Sequence, residues 1–244
     1  MIYKDYYCNS MFLLISNNNI PIFIKSMLLL KRNNNIQRGI MKTKKSRMAG
    51  KLFYIAESQQ GYFTSKQAES CGYSKYNHPY HVKDGTWIRE GRGIYRLKNF
   101  PTDQVQGQYV FFSLWSRNKN DKPQAVISHE TALAINELSD LMPSKIHMSV
   151  PKKFQRWAAI PKILKLYYRD IDPNSIEDRG GYFATTPLDT IVDLLKTKHT
   201  SEEFIEQAIR EALNRGFFSL TNIKQKAMPN EIRERIIYWL SPDW

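Results

Sequence analysis

Residues 86–97 read Thr86-Trp87-Ile88-Arg89, then Glu90-Gly91-Arg92-Gly93, then Ile94-Tyr95-Arg96-Leu97, two short β-prone runs around a turn that holds two glycines. Branched and aromatic residues favour extended backbone, and glycine relieves the crowding of a tight reversal, so the spacing predicts a hairpin. Arg89, Arg92 and Arg96 place guanidinium groups on that hairpin and at its tip. A planar, permanently charged fork suits phosphate, or insertion into a narrow minor groove.

The residues before the hairpin narrow the reading further. From Met48 to Glu57 the apolar residues Leu52, Phe53, Ile55 and Ala56 recur at helical spacing, and Gln59-Gln60-Gly61 ends that helix. Thr64 then stands where an N-cap is wanted, with Gln67 three residues on to complete a capping box. Ala68 supplies a small inward contact in this short second helix, and Gly72 falls at its left-handed C-terminal cap. A third segment opens at Ser74 or Asn77 and runs to Asp84, where Gly85 stops it. Pro79 cannot donate to the carbonyl four residues back, so either the helix starts near Asn77 or it kinks; the late start is favoured. Two helices across a glycine-containing turn followed by a hairpin form a winged helix-turn-helix, predicted over residues 48–98.

Charge follows the same boundary. The 244 residues carry 36 Lys+Arg and 23 Asp+Glu, a formal net charge of +13. Residues 41–100 hold twelve basic and four acidic side chains, whereas residues 101–244 hold nineteen and eighteen. A polyanion-binding module attached to a nearly neutral domain is the natural reading. With 42% of residues hydrophobic, wholesale disorder is excluded. Two cysteines, Cys8 and Cys71, cannot build a disulfide framework, which points to a reducing, cytoplasmic setting. Residues 1–47 read as a poorly structured leader outside the native fold: two Asn triplets and Pro21 break its apolar runs well short of a membrane span or a secretory signal. Met41 and Met48 are alternative starts.

Residues 99–244 read as an α+β domain. Helical rhythm is expected over Asp103–Arg117, strands over Ala125–Ile127, Lys145–Val150, Ile163–Tyr168 and Gly181–Ala184, and a helix opened by Ser128 as N-cap. Thr186-Pro187-Leu188-Asp189 is a strong helix start; Thr200 with Glu203 is expected to cap the next helix, and two shorter helices fit Leu220–Ala227 and Glu231–Leu240.

The sequence points to no catalytic residues, no metal and no cofactor. Ser128, His129 and Glu130 are adjacent on a helix start and are not expected to face one another as a triad would. His78-x-x-His81 lacks a fourth metal ligand, and Asp189 and Asp193 lack the lysine of a metal-dependent nuclease and are expected to be solvated or to cap. DNA binding remains. Tyr76, Asn77, His78, Tyr80 and His81 are the candidate base-edge contacts; Lys66, Lys75, Lys83, Arg89, Arg92 and Arg96 are expected to engage phosphates or the minor groove. Thr64, Ser65 and Ser74 at the helix starts complete the DNA-facing set, and Lys152, Lys153 and Arg156 form a basic cluster in the second domain.

The run Gly61-Tyr62-Phe63-Thr64, then Ala68, Gly72, Gly85, Trp87, Arg89 and Gly91 to Leu97, resembles the N-terminal winged helix of the AbiEi-type antitoxins of type IV toxin–antitoxin systems. Ile127 to Leu133, Ile146 to Pro151 and Thr185 to Leu194 resemble later blocks of the same family, in the same order, so the likeness extends over residues 48–228. It implies a transcriptional repressor that binds inverted repeats in promoter DNA, autoregulates its operon, and counteracts a nucleotidyltransferase toxin without a stable complex. A monomer or weak dimer with no membrane association is implied as well. The alternative is a general winged-helix regulator, or a nucleic-acid-processing accessory protein, without antitoxin activity.

Overall fold

The computed structural model describes residues 44–101, 103–156 and 159–240. The expected leader therefore lies outside the described residues, apart from residues 44–47. Those four are already helical: helix α1 covers residues 44–57, starting before the position that apolar spacing predicts. Leu52 and Ala56, one turn apart, are its buried positions.

Strand β1 (Tyr62–Thr64) and helix α2 (Ser65–Ser70) come next, with Thr64 and Gln67 forming the expected capping box. A 3-10 turn, Lys75–Asn77, leads into helix α3 (His78–Lys83), which has Pro79 in its first turn as the late start requires. Strands β2 (Trp87–Gly91) and β3 (Ile94–Leu97) form the hairpin, and β1 completes an antiparallel sheet of order β1-β3-β2. The register slips by one residue between Arg89 and Gly91, so Glu90 is the extra residue of a bulge. Gly93 closes the turn at φ +68, a conformation that favours glycine.

The two faces of this small sheet have different neighbours. Phe63, Trp87 and Tyr95 pack with Leu52, Ala56, Ala68 and Cys71, with Phe63 edge-on to Trp87 at 4.8 Å between ring centroids. Tyr62 and Ile94, on the other face, belong to a core shared with Val110, Ile127, Met148 and Ala184. Residues 62–97 are thus packed directly on the chain beyond the hairpin, and Leu52–Trp244 form one compact unit.

The chain after the hairpin is mixed α and β, as expected. Helix α4 (Gln104–Trp115) is capped by the Asp103 carboxylate. Strand β4 (Val126–Ile127), helix α5 (His129–Ile135), and strands β5 (Ile146–Val150), β6 (Leu164–Tyr168), β7 (Ile176–Asp178) and β8 (Phe183–Thr185) succeed it. The sheet order is β6-β5-β4-β8-β7, with β5–β6 and β4–β8 parallel and the other pairs antiparallel. Helices α6 (Pro187–Thr197), α7 (Glu202–Asn214), α8 (Leu220–Gln225) and α9 (Asn230–Tyr238) enclose a second core of Leu133, Ile191, Leu194, Ile205, Ile209 and Ile236.

Two expected caps are absent. Ser128 precedes α5 but its hydroxyl makes no capping bond, and the N-cap of α7 is Ser201, also without one. Thr200 instead donates its hydroxyl to Glu130, 2.9 Å away. All five residues of β5 are buried, because both of its faces are covered: Ile146, Met148 and Val150 join the first core, while His147 and Ser149 enter a polar network.

Candidate nucleic-acid interface

Helix α3 is held by its rings. His81 stacks on Trp87 at 4.6 Å and 27°, while His78 sits 5.3 Å from Trp87 and 5.7 Å from Tyr95. With positions 78, 81 and 82 turned inward or half-buried, the helical repeat turns Tyr80 and Lys83 out to solvent. Tyr76 and Tyr80 are 80% and 64% exposed, a high value for rings this large, and the Lys75 ammonium lies 5.2 Å from the Tyr76 ring centre. Ser74 and Asn77 are exposed beside them. These residues present aromatic faces, amides and ammonium groups together, the side-chain chemistry that contacts bases and phosphates.

The structure divides the remaining sequence-predicted residues. Thr64 and His78 are buried and are withdrawn from the surface set. The Thr64 hydroxyl is spent on the Gln67 amide and the Asp121 carboxylate. His78 is desolvated, which holds its pKa below the ordinary histidine range, so it packs as a neutral ring and does not meet a phosphate. Arg96 is also reassigned. Strand alternation puts it on the Tyr62 face of the sheet, opposite α3, where its Nε donates to Glu90 at 2.7 Å. His81 is half-buried against Trp87, and Arg89 is exposed. Ser65, Lys66 and Arg92 come together elsewhere, lining a groove with residues 117–119.

That last juxtaposition was not legible in the sequence. Lys66 Nζ donates to the Lys119 carbonyl at 2.5 Å, Arg117 Nη2 donates to the Arg92 carbonyl at 3.0 Å, and Asp121 pairs with Arg117 at 3.0 Å while bonding Thr64. Apart from Arg117 and Asp121, the partners lie far apart in the chain, so no local pattern announces them.

A second polar cluster occupies the five-stranded sheet. His129 adopts φ +54, which turns its ring back so that Nδ1 lies 2.9 Å from Ser128 Oγ. The expectation that these neighbours do not face one another is therefore corrected. Ser128 Oγ meets Ser149 Oγ at 2.8 Å, Arg169 Nε donates to Ser149 at 3.0 Å, and the same guanidinium pairs with Asp193. His129 stacks on Tyr167 at 3.5 Å. Ser128 and Ser149 are wholly buried and their hydroxyls are satisfied internally, which marks a structural network. Burial lowers the His129 pKa to about 3 and raises that of Asp193 to about 6, so Asp193 is neither solvated nor a cap. Asp189 behaves differently: it accepts from Thr186 and from Lys226, the latter at 2.7 Å.

Among the described residues no group of three or more His, Cys, Asp or Glu could hold a metal ion, and no helix is long and apolar enough to cross a membrane. The fold and this surface define a class: a mixed α/β chain whose cationic, aromatic-bearing module is packed on a larger body. Residues 51–98 match the family model described as "Transcriptional regulator, AbiEi antitoxin". The match begins inside α1 and ends just after β3. No curated protein matches the chain.

Proposed function

We propose that the protein is a DNA-binding transcriptional repressor and antitoxin of a type IV toxin–antitoxin system, acting in the cytoplasm. In this reading residues 48–98 are a winged helix-turn-helix. Helix α3 enters the major groove with Tyr76, Asn77 and Tyr80 at base edges, while Lys75, Lys83, Arg89 and Arg92 engage phosphates or the minor groove. The protein autoregulates its own operon through inverted repeats and counteracts a nucleotidyltransferase toxin; it is not an enzyme. The observation that carries this reading is the coincidence of the regulator-family match with the cationic segment in which the third helix and the turn before it each hold one tyrosine out to solvent.

The test is binding of the full chain to duplex DNA from upstream of its own gene. Asn77→Ala or Tyr80→Ala is expected to cost about 1–3 kcal/mol at one position of the site, and Arg92→Ala to weaken binding to all sequences. Equal affinity for the upstream fragment and a scrambled duplex would defeat the proposal.

A second reading, a winged-helix regulator without antitoxin activity, is favoured by the family match stopping at residue 98. Co-expression with a nucleotidyltransferase encoded beside the gene separates the two: growth rescue supports the antitoxin, and DNA binding without rescue supports the second reading.

A further inference from the structure

The groove that unites Ser65, Lys66 and Arg92 with the chain beyond residue 98 has a volume of about 1060 Å³. Six cations line it: Lys66, Arg92, Arg117, Lys119, Lys153 and Arg156. Two carboxylates face them, Glu69 and Asp121, and Asp121 is already committed to Arg117 and Thr64. Arg156 lies over Trp115 at 4.9 Å and donates to the Arg117 carbonyl. Burial, with Arg117 and Arg92 close by, pulls its pKa below the ordinary arginine value. Like charges crowded in a partly desolvated groove are favourable once an anion enters it.

We propose that this groove receives the sugar–phosphate backbone of the duplex that α3 reads, so that Lys119, Lys153 and Arg156 extend the DNA footprint beyond the winged helix. The inference rests on the DNA-binding reading above. Two features favour the backbone of that same duplex. Arg92 stands at the hairpin tip and Lys66 in the first turn of α2, so the groove continues from the proposed wing. Trp115, the larger of the two aromatics that line the groove, is buried and covered by Arg156, which closes its face to an unpaired base.

The experiment is a salt titration of binding by the full chain, on the upstream duplex and on a scrambled one, comparing wild type with Lys119→Gln/Lys153→Gln. Both lysines are exposed, and the Lys119 carbonyl that holds Lys66 is retained. The expected result is weaker binding to both duplexes and a log K against log salt slope shallower by about two, since each lost phosphate contact removes about 0.9. Arg156→Gln, checked for an unchanged thermal midpoint, is expected to reduce the slope by about one further unit. Wild-type slope and affinity in both variants would overturn the inference while leaving the α3 reading intact, as would a loss confined to the upstream sequence. If the wild-type chain binds neither duplex, the underlying reading falls and this inference with it.

Discussion

Single residues decide what the candidate interface contains. His78 and Tyr80 are two positions apart and both carry rings, yet one is 3% exposed and the other 64%. His78→Phe is expected to leave DNA affinity within about twofold of wild type, whereas Tyr80→Ala costs about 1–3 kcal/mol of discrimination. A binding isotherm for each variant checks the pair. The sequence could not separate these residues, because the phase of a six-residue helix is set by what it rests on, here the Trp87 indole. Arg96 was obscured for a related reason: the face of the sheet it joins is seen only from its place opposite Tyr62, in a partner strand more than thirty positions away.

At the scale of elements, capped helices and the hairpin were legible, and strands β1 and β7 were not. Thr64 and Thr186 cap as expected, and Gly93 turns the hairpin. Strands β1 and β7 have three residues each and exist through their pairing with β3 and β8, partners that neither strand's own residues announce. The link between β6 and α6 was equally hidden. Arg169 lies just past β6 and pairs with Asp193 of α6, whose carboxylate is buried. Arg169→Ala is expected to destabilise the fold by roughly 3 kcal/mol at pH 7, since it strands a buried charge. The loss should be smaller at pH 5, where Asp193, with a pKa of about 6, takes up a proton. Adding Asp193→Asn should recover part of it, and denaturant midpoints at the two pH values measure both effects.

Over the whole molecule, the charge asymmetry was plain in the sequence, while the response to acid comes only from burial. His78, His129 and His147 all have pKa values lowered mainly by desolvation, that of His129 to about 3. A histidine depressed in the folded state leaves stability complete above its unfolded value of about 6.5 and removes it as pH falls towards the folded value. Asp193 acts in the opposite sense. Its raised pKa of about 6 adds stability below the ordinary carboxylate value of 3.8, which is lost as pH rises through 6. Three depressed histidines outweigh one raised carboxylate, so the thermal midpoint is expected to fall steadily from pH 7 to pH 5. His129→Asn, which tolerates the left-handed backbone, should flatten that curve in a calorimetric series.

The ties of Thr64 to Asp121 and of Lys66 to the Lys119 carbonyl have a mechanical consequence. They leave no swivel where the start of α2 meets the chain after α4. A duplex gripped by α3 would fix the bearing of the five-stranded sheet, so two copies on facing repeats would present those sheets at an angle dictated by the spacing of the repeats.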